Sequence, residues 1–231
     1  FLDGHEYALL TSEDLKAWRL LQRLELGSGR ECPDLFPLAV DDDPADVRWV
    51  FWGADGSYLL GRFDGHEFRA ESEGLRYWWG GDAYAAQTWS DVPPEDGRRI
   101  QIAWLRVELP GAPFGQCMTF PYELSLRKTP RGLRLCSRPV REIERLHRTT
   151  RSWEDLTIRE GEDPLEGIEG ELLHLSAEFA VGDATEYGIT VRGVSVTYDA
   201  VGRRLLCLKR AAPLEPVDGC IRLEILVARA S

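Results

Sequence analysis

The chain has 231 residues, 43% of them hydrophobic, which is typical of a globular protein with a packed core. Its 39 Asp and Glu residues outnumber its 28 Lys and Arg residues and give a formal net charge of -11. Because nucleic acids and anionic membranes bind basic surfaces, neither is expected as a partner.

The cysteine content predicts a redox state. An odd number of cysteines without a C-x-x-C pair favours reduced, mostly buried thiols, the state typical of the cytosol. Because the chain does not begin with Met, we expect it to start inside a longer protein, and its localisation stays open. The five residues are Cys32, Cys117, Cys136, Cys207 and Cys220.

The first distinctive stretch is Glu31-Cys32-Pro33-Asp34-Leu35-Phe36, which places a carboxylate next to a thiol and a proline. If Glu31 lies at the edge of a buried strand, its surroundings exclude water and favour the neutral acid. A neutral carboxylic acid is what a general acid in glycoside cleavage requires. Taken alone, the stretch fits an ordinary loop equally well.

The next segment predicts an antiparallel meander. Strands are expected at 47–52, 57–62 and 66–68, after an acidic loop at 41–44, and two Asp-Gly turn signals separate them. Meanders repeated around an axis form the blades of a β-propeller, although a β-sandwich also fits this segment.

Two further blocks combine polar and aromatic residues. Residues 76–89 contain Asp82, Tyr84 and Gln87 among tryptophans, and a strand predicted at 99–104 ends on Trp104. Such a surface suits a sugar, which it would hold by hydrogen bonds and stacking, and a tight turn between core strands suits it equally. The third block, 115–126, predicts a strand that is entered through a kink at a proline.

Most catalytic motifs are absent from the sequence. It contains no Gly-x-Ser-x-Gly elbow, P-loop or H-E-x-x-H motif. Its four histidines are scattered, so neither a metal site nor a cofactor is expected. Carboxylate chemistry remains, with Glu31 as the first candidate and Asp82 as a second polar group.

The C-terminal third changes pattern after a basic, irregular segment at 138–152. Leu173, Leu175, Ala177 and Phe179 alternate with more polar residues, as on a strand with one buried face. Further strands are expected at the ranges 187–191, 194–198, 204–208 and 221–227. Short strands at regular spacing indicate a β-sandwich.

In this order, the blocks resemble glycoside hydrolase family 32, the β-fructosidases. Residues 31–36 resemble the family motif E-C-P-D-x-F, and residues 82–89 resemble D-x-Y-A-x-Q-x-W. Residues 98–104 resemble R-R-I-x-x-x-W, and 118–126 resemble M-T-x-P-R-E-L-S-L. Residues 12–18 resemble S-x-D-L-x-x-W.

The resemblance implies an all-β protein: the C-terminal part of a five-bladed β-propeller followed by an incomplete β-sandwich. The expected domains are a partial propeller at 1–140, a linker at 141–160 and a truncated sandwich at 161–231. The implied activity is retaining hydrolysis of β-fructosyl linkages in sucrose, levan or inulin. The implied acid/base is Glu31, and the implied sugar-pocket residues are Asp82, Tyr84, Gln87 and Trp104.

The sequence also departs from the family pattern. The family's nucleophile motif W-M-N-D-P-N-G and its R-D-P motif are absent, so we expect both upstream of Phe1 and no turnover by this chain alone. Trp78 stands where many members have Asp, and Tyr122 replaces the usual Arg, which leaves linkage preference open. The oligomeric state is open too.

Two alternatives remain at this point. One is a non-catalytic carbohydrate-binding propeller in which Trp78, Trp79 and Trp89 stack on a sugar. The other is a propeller glycosidase acting on arabinose or xylose, against which the E-C-P and Met-Thr-Phe-Pro sequences argue.

Overall fold

The computed structural model describes residues 4–27, 31–159 and 162–228. These residues form β-strands and one short 3-10 helix, Arg141–Leu146, and no helix among them is long and apolar enough to cross a membrane. The chain divides into two compact units, Phe1–His147 and Arg148–Ser231. The division falls inside the segment 141–160.

The first unit begins with a hairpin of β1 (Glu6–Thr11) and β2 (Arg19–Glu25). The bend between them is closed by Asp14, whose Oδ1 accepts the backbone N–H groups of Lys16 and Ala17, both at 2.8 Å. These bonds hold the carboxylate in its charged form, and they lower the pKa of Asp14.

A first four-stranded antiparallel meander follows the hairpin. It consists of β3 (Asp34–Val40), β4 (Asp43–Trp52), β5 (Ser57–Phe63) and β6 (Phe68–Ala70), each strand pairing with the next. The short strand β7 (Leu75–Arg76) continues the outer edge, because it also pairs with β5.

Two details of this meander differ from the sequence prediction. The acidic loop expected at 41–44 is a two-residue turn, since Asp41 and Asp42 have φ of 51° and 64° and β4 already begins at Asp43. The strand expected at 66–68 begins only at Phe68. The two preceding N–H groups donate to Asp64 Oδ1 and therefore belong to the turn.

A second meander contains β8 (Ala83–Thr88), β9 (Arg99–Leu105), β11 (Tyr122–Thr129) and β12 (Gly132–Pro139). A short strand β10 (Cys117–Met118) pairs with β9 just ahead of β11, so the two are one interrupted strand. The predicted kink at a proline is confirmed. A single parallel pairing of β11 with β3 joins the two meanders, which have the strand pattern of propeller blades.

A hydroxyl group bridges a strand interruption in each meander. In the first, Ser72 Oγ accepts the Leu60 N–H at 2.9 Å. In the second, Thr119 Oγ1 accepts the Ala103 N–H at 3.0 Å, and the Thr119 N–H donates to the Ala103 carbonyl. Side chains thus replace the backbone acceptors that the interruption removes, which leaves no buried N–H unpaired at either point.

The main core lies between the faces of the two meanders and is built around Trp52, which is fully buried. Its indole contacts the rings of Tyr58, Tyr77 and Trp78 at centroid distances of 6.4, 5.4 and 5.2 Å. Other buried members are Phe36, Val40, Val50, Leu60, Ala86, Ala103, Leu124, Leu126 and Leu135. A second cluster groups Tyr7, Leu24, Leu26, Phe51 and Phe68.

The second unit contains two antiparallel sheets. In one, β13 (Leu173–Ala180) pairs with the last strand of the chain, β18 (Cys220–Val227). The other is a four-stranded sheet in sequential order, made of β14 (Glu186–Val191), β15 (Val194–Asp199), β16 (Arg204–Cys207) and β17 (Arg210–Pro213). The alternating exposure predicted for 173–179 is present, whereas β17 was not predicted.

All five cysteines are free, but none is buried: Cys32 is exposed and the other four are partly exposed. The expectation of mostly buried thiols is therefore wrong. Cys32 precedes β3, and the other four lie on β10, β12, β16 and β18 at positions that are partly open to solvent.

The close pairing of β5 and β6 depends on Gly61. A Cβ at this position would overlap the backbone carbonyl of Arg69, so Gly61→Ala forces the two strands apart. We expect it to lower the free energy of unfolding by about 1–3 kcal/mol, measured by urea denaturation. The control is Gly74→Ala, where a Cβ meets nothing within 4 Å. Equal effects of the two substitutions would contradict this account.

An ionic cluster fixes the 3-10 helix to the loop before β9. Arg98, only 11% exposed, donates to both carboxyl oxygens of Asp96 and of Glu142 at 2.5–2.9 Å. Its guanidinium lowers the pKa of each carboxyl to about 2.

Because these folded-state pKa values lie below the ordinary ones, the cluster stabilises the fold above about pH 4–5 and loses that effect as the pH falls towards 2. Arg98→Gln is therefore expected to lower the melting temperature at pH 7, and the gap from the parent should close between pH 5 and pH 2. Arg23→Gln, which breaks only an exposed pair with Glu6, serves as control. A gap that stays constant with pH would rule out the cluster as its source.

Candidate active site

The candidate site forms where the first strands of the two meanders begin. Glu31 lies just before β3, and Tyr84 lies at the start of β8. The Tyr84 hydroxyl donates a hydrogen bond of 2.8 Å to Glu31 Oε2 across 53 residues of sequence. The structure thus brings together two of the residues that the sequence proposed.

The rest of the Glu31 motif is also bound by β8. Gln87 Nε2 donates to the Cys32 carbonyl at 2.9 Å, and the Thr88 N–H donates to Asp34 Oδ2 at 2.8 Å. Together with the Tyr84 bond, these contacts hold the 31–34 segment at three successive points. The motif is therefore a rigid edge of the site rather than an ordinary loop.

The Ala54 backbone links the two strand starts as well. The Ala54 N–H donates to the Glu31 carbonyl at 2.9 Å, and the Ala54 carbonyl accepts the Ala85 N–H at 2.8 Å. Ala54 is fully buried in the turn that follows β4. The turn after β4 thus connects Glu31 to β8 through backbone hydrogen bonds.

Two residues of the site have a left-handed backbone without being glycine. Cys32 has a φ of 46° and Ala85 a φ of 52°. This conformation costs roughly 1–2 kcal/mol for each residue with a side chain. Ala85 forms a bulge, because the pairing of β8 with β9 shifts between Tyr84 and Gln87. Bulges of this kind redirect side chains next to functional sites.

A cleft of about 470 Å³ opens beside Tyr84, a volume within the usual range of small-molecule sites. Its polar lining includes Asp55, Ser57, Arg76, Arg106 and Tyr84, and much of the remaining wall is glycine backbone. The cleft is therefore lined by guanidinium groups, which donate hydrogen bonds, and by a carboxylate, which accepts them. That combination suits a polyhydroxyl ligand, whose groups both donate and accept hydrogen bonds.

The groups around Glu31 are held in their neutral forms. Burial, reinforced by the hydrogen bond to Glu31, raises the pKa of Tyr84, while Arg106 opposes the shift. Burial raises the pKa of Tyr7 to about 12, with smaller contributions from Asp55, Tyr84, Cys32 and Glu31. Burial and the Glu31 charge also raise the pKa of Cys32. At neutral pH, Tyr84 is therefore a hydrogen-bond donor.

The remaining predicted residues lie around this pair. Trp104 is 38% exposed and packs edge-to-face on Tyr84, with ring centroids 6.3 Å apart. Asp82 is exposed, and its backbone carbonyl accepts the Arg106 N–H at 2.8 Å. Among the described residues, no hydrogen bond or ion pair joins the Asp82 carboxylate to Glu31. Glu31 is itself exposed, so the burial expected for it is not found.

Sequence reasoning missed Tyr7, Asp55, Arg76 and Arg106. Asp55 was interpreted only as a turn residue, and Tyr7 and Arg106 lie in segments without a distinguishing pattern. Tyr7 comes close to the site because it packs on Phe51, at 5.2 Å, under the start of β3. Strand pairing brings these residues together, and local spacing does not reveal it.

Comparison with known proteins shows the family of the chain. Residues 3–139, more than half of the chain, match the Glycosyl hydrolases family 32 N-terminal domain. The chain belongs to glycosyl hydrolase family 32. It is 32% identical to a levanase of Bacillus subtilis over 99% of its own length and 41% of that protein. It is 29% identical to a sucrose-6-phosphate hydrolase of Zymomonas mobilis over 70% of its length and 34% of that protein.

Solved structures of family 32 proteins show the same fold. The chain superimposes on an exo-inulinase from Aspergillus awamori with a TM-score of 0.72 and 20% identity, covering 97% of the chain and 53% of that protein. A β-fructofuranosidase from Bombyx mori gives 0.60 and 18%, covering 98% and 52%. The predicted all-β class, propeller strands followed by a β-sandwich, is confirmed. The chain spans about half of these proteins or less.

The two positions that depart from the family pattern lie together in the core. Trp78 packs against Trp52, and Tyr122 stacks on Tyr77 at 6.3 Å. Burial raises the pKa of Tyr122, and the neighbouring Trp78 partly opposes that shift. An aromatic contact thus occupies both positions, and Trp78 is not an open stacking platform for a sugar.

The bond between Asp34 and Thr88 is expected to stabilise the site strongly. Asp34 is partly buried and its charged carboxylate accepts a β8 backbone N–H. Asp34→Ala leaves this N–H unpaired and should lower the free energy of unfolding by about 1.5–3 kcal/mol in urea denaturation. Asp43→Ala, which removes a local bond to the Ala45 N–H on the surface, should change it much less. Equal losses would argue that β8 does not depend on the Glu31 motif.

Proposed function

We propose that this chain supplies the acid/base side of a retaining β-fructosidase site, with Glu31 as the acid/base residue. The observation that carries the proposal is the Tyr84–Glu31 hydrogen bond, formed between two family motifs at the starts of two propeller blades. Relatives named levanase, invertase and exo-inulinase support a fructosyl substrate.

In the first step, the Glu31 carboxylic acid gives its proton to the glycosidic oxygen as a carboxylate nucleophile attacks the anomeric carbon of the fructosyl unit. The bond between that carbon and the leaving oxygen breaks, and a fructosyl–enzyme ester forms. In the second step, the Glu31 carboxylate takes a proton from water, and the water oxygen attacks the same carbon. The ester bond breaks, which frees the nucleophile carboxylate and releases fructose. The two carboxyl groups of such a site lie roughly 5–5.5 Å apart.

Neighbouring residues have distinct proposed roles. Tyr84 orients the Glu31 carboxyl by donating to one of its oxygens, which leaves the other for the leaving group. Gln87 uses its NH₂ group on the Cys32 and Ala86 carbonyls, so its side-chain oxygen remains to accept from a sugar hydroxyl. Trp104 offers an apolar face for the sugar, and Asp82 an acceptor at the rim.

We further propose that residues 1–231 alone do not release fructose, because no match to the family's nucleophile motif occurs in them. The site is tested in the full-length product of the gene that encodes this chain. There, Glu31→Gln is expected to lower kcat/KM on levan and sucrose by about 10²–10⁴-fold. The loss of kcat/KM should be much smaller for an aryl β-fructoside, because kcat/KM reports the first step and this leaving group needs no proton there. Glu13→Gln, in the exposed bend before β2, should have no effect.

Two results would contradict these roles. Fructose release by residues 1–231 that Glu31→Gln abolishes would mean that the nucleophile lies within this chain. An equal loss on both substrates would mean that Glu31 is not the proton donor.

A carbohydrate-binding role is the second candidate, favoured by the exposure of Trp79 and Trp89, 40% and 44%. This role predicts that the full-length gene product binds levan without hydrolysing it. Glu31→Gln should leave that binding unchanged, and Trp89→Ala should abolish it.

A further inference from the structure

We propose that Arg106 is a positioning residue that holds the Tyr84 phenol against Glu31. Its consequence for catalysis rests on the proposed acid/base role of Glu31, but the contact itself does not. Arg106 lies directly after β9 and outside every motif identified in the sequence.

The guanidinium of Arg106 lies over the Tyr84 ring, with its central carbon 4.7 Å from the ring centroid. The edge-to-face contact with Trp104 is a second restraint on the same ring. A tyrosine has only two side-chain torsions, so fixing the plane of the ring also fixes where its hydroxyl points. Here it points at Glu31 Oε2.

Arg106 is itself fixed at both ends. Its Nη2 donates to the Gly81 carbonyl at 3.0 Å, and its backbone N–H donates to the Asp82 carbonyl at 2.8 Å. The backbone and the side chain of Arg106 therefore both bind residues 81–82, the segment that leads into Tyr84. A planar guanidinium can lie over a ring while it donates in its own plane, a geometry that the tetrahedral ammonium of lysine does not reproduce.

Arg106 forms no ion pair with any residue that the structure describes. Within the part of the chain that the structure describes, its partners are an aromatic ring and a carbonyl, unlike Arg98 with its two carboxylates. The attraction between the cation and the ring face therefore acts without competition from a carboxylate partner.

Arg76 provides a matched control. It lines the same cleft, lies over the Trp79 ring at 5.2 Å and donates to the Trp78 carbonyl at 2.6 Å. It therefore has the same charge, a similar aromatic contact and the same kind of backbone bond, but a different ring. Comparing the two arginines separates the position of Tyr84 from the general charge of the cleft.

The experiment uses residues 1–231 labelled with ¹³C at the tyrosine Cζ atoms, and Tyr84→Phe assigns the Tyr84 resonance. Glu31 raises the pKa of Tyr84, so Glu31→Gln is expected to lower it. We expect Arg106→Gln to reduce this Glu31-dependent shift by more than half and Arg76→Gln to preserve it. The direct effect of each arginine on Tyr84 is present in both arms of the cycle and cancels.

Three outcomes would overturn the proposal. They are an undiminished shift in Arg106→Gln, an equal reduction in Arg76→Gln, and a full shift in Arg106→Lys, which would mean that charge alone suffices. If Arg106→Gln does not fold by circular dichroism, Arg106→Met keeps an apolar stem beside Tyr84 and replaces it in the cycle. Because the readout is a tyrosine titration, failure of the acid/base proposal would leave this result unaffected.

Discussion

The hydrogen bond from Tyr84 to Glu31 joins the starts of two blade-like meanders, and the candidate site depends on that junction. Each partner is anchored to its own meander: β3 pairs with β4 in the first, and β8 pairs with β9 in the second. The bond can be short because the Ala54 backbone, buried between the strands, bonds to both sides. The geometry of the site therefore depends on how the two meanders pack against each other.

The site holds Glu31 by oriented donors and not by burial. The sequence suggested a carboxyl shielded from water, but the described chain leaves Glu31 exposed beside a cleft. Tyr84 and Tyr7 are protonated at neutral pH, because the ordinary pKa of tyrosine is about 10, and burial raises both pKa values further. The Glu31 carboxyl group is held by the Tyr84 hydroxyl and is open to solvent, so it can meet a ligand without rearrangement of the protein around it.

The fold class and the strand pattern could be predicted from the sequence, because they depend on local alternation and turn signals. The family motifs also named Glu31, Tyr84, Gln87 and Trp104, which the structure places next to one another, while their roles stay a prediction. The sequence did not predict Arg106 or Asp55, whose roles arise from strand pairing. It also misplaced the start of β4, because Asp and Pro are poor strand formers and the turn before that strand is set by two left-handed aspartates. Nonlocal pairing overrides local preference at these positions.

The left-handed backbone at Cys32 and Ala85 makes the conformations of the 31–36 and 82–89 motifs depend on each other. Neither residue is a glycine, so each left-handed conformation costs energy that its own segment does not recover. The recovery comes from across the junction: Gln87 donates to the Cys32 carbonyl, and the Ala85 N–H is bonded to Ala54. Strain in each segment is therefore offset by bonds that exist only when both segments are in place. A substitution in one motif should for this reason loosen the other, although about fifty residues separate them in sequence.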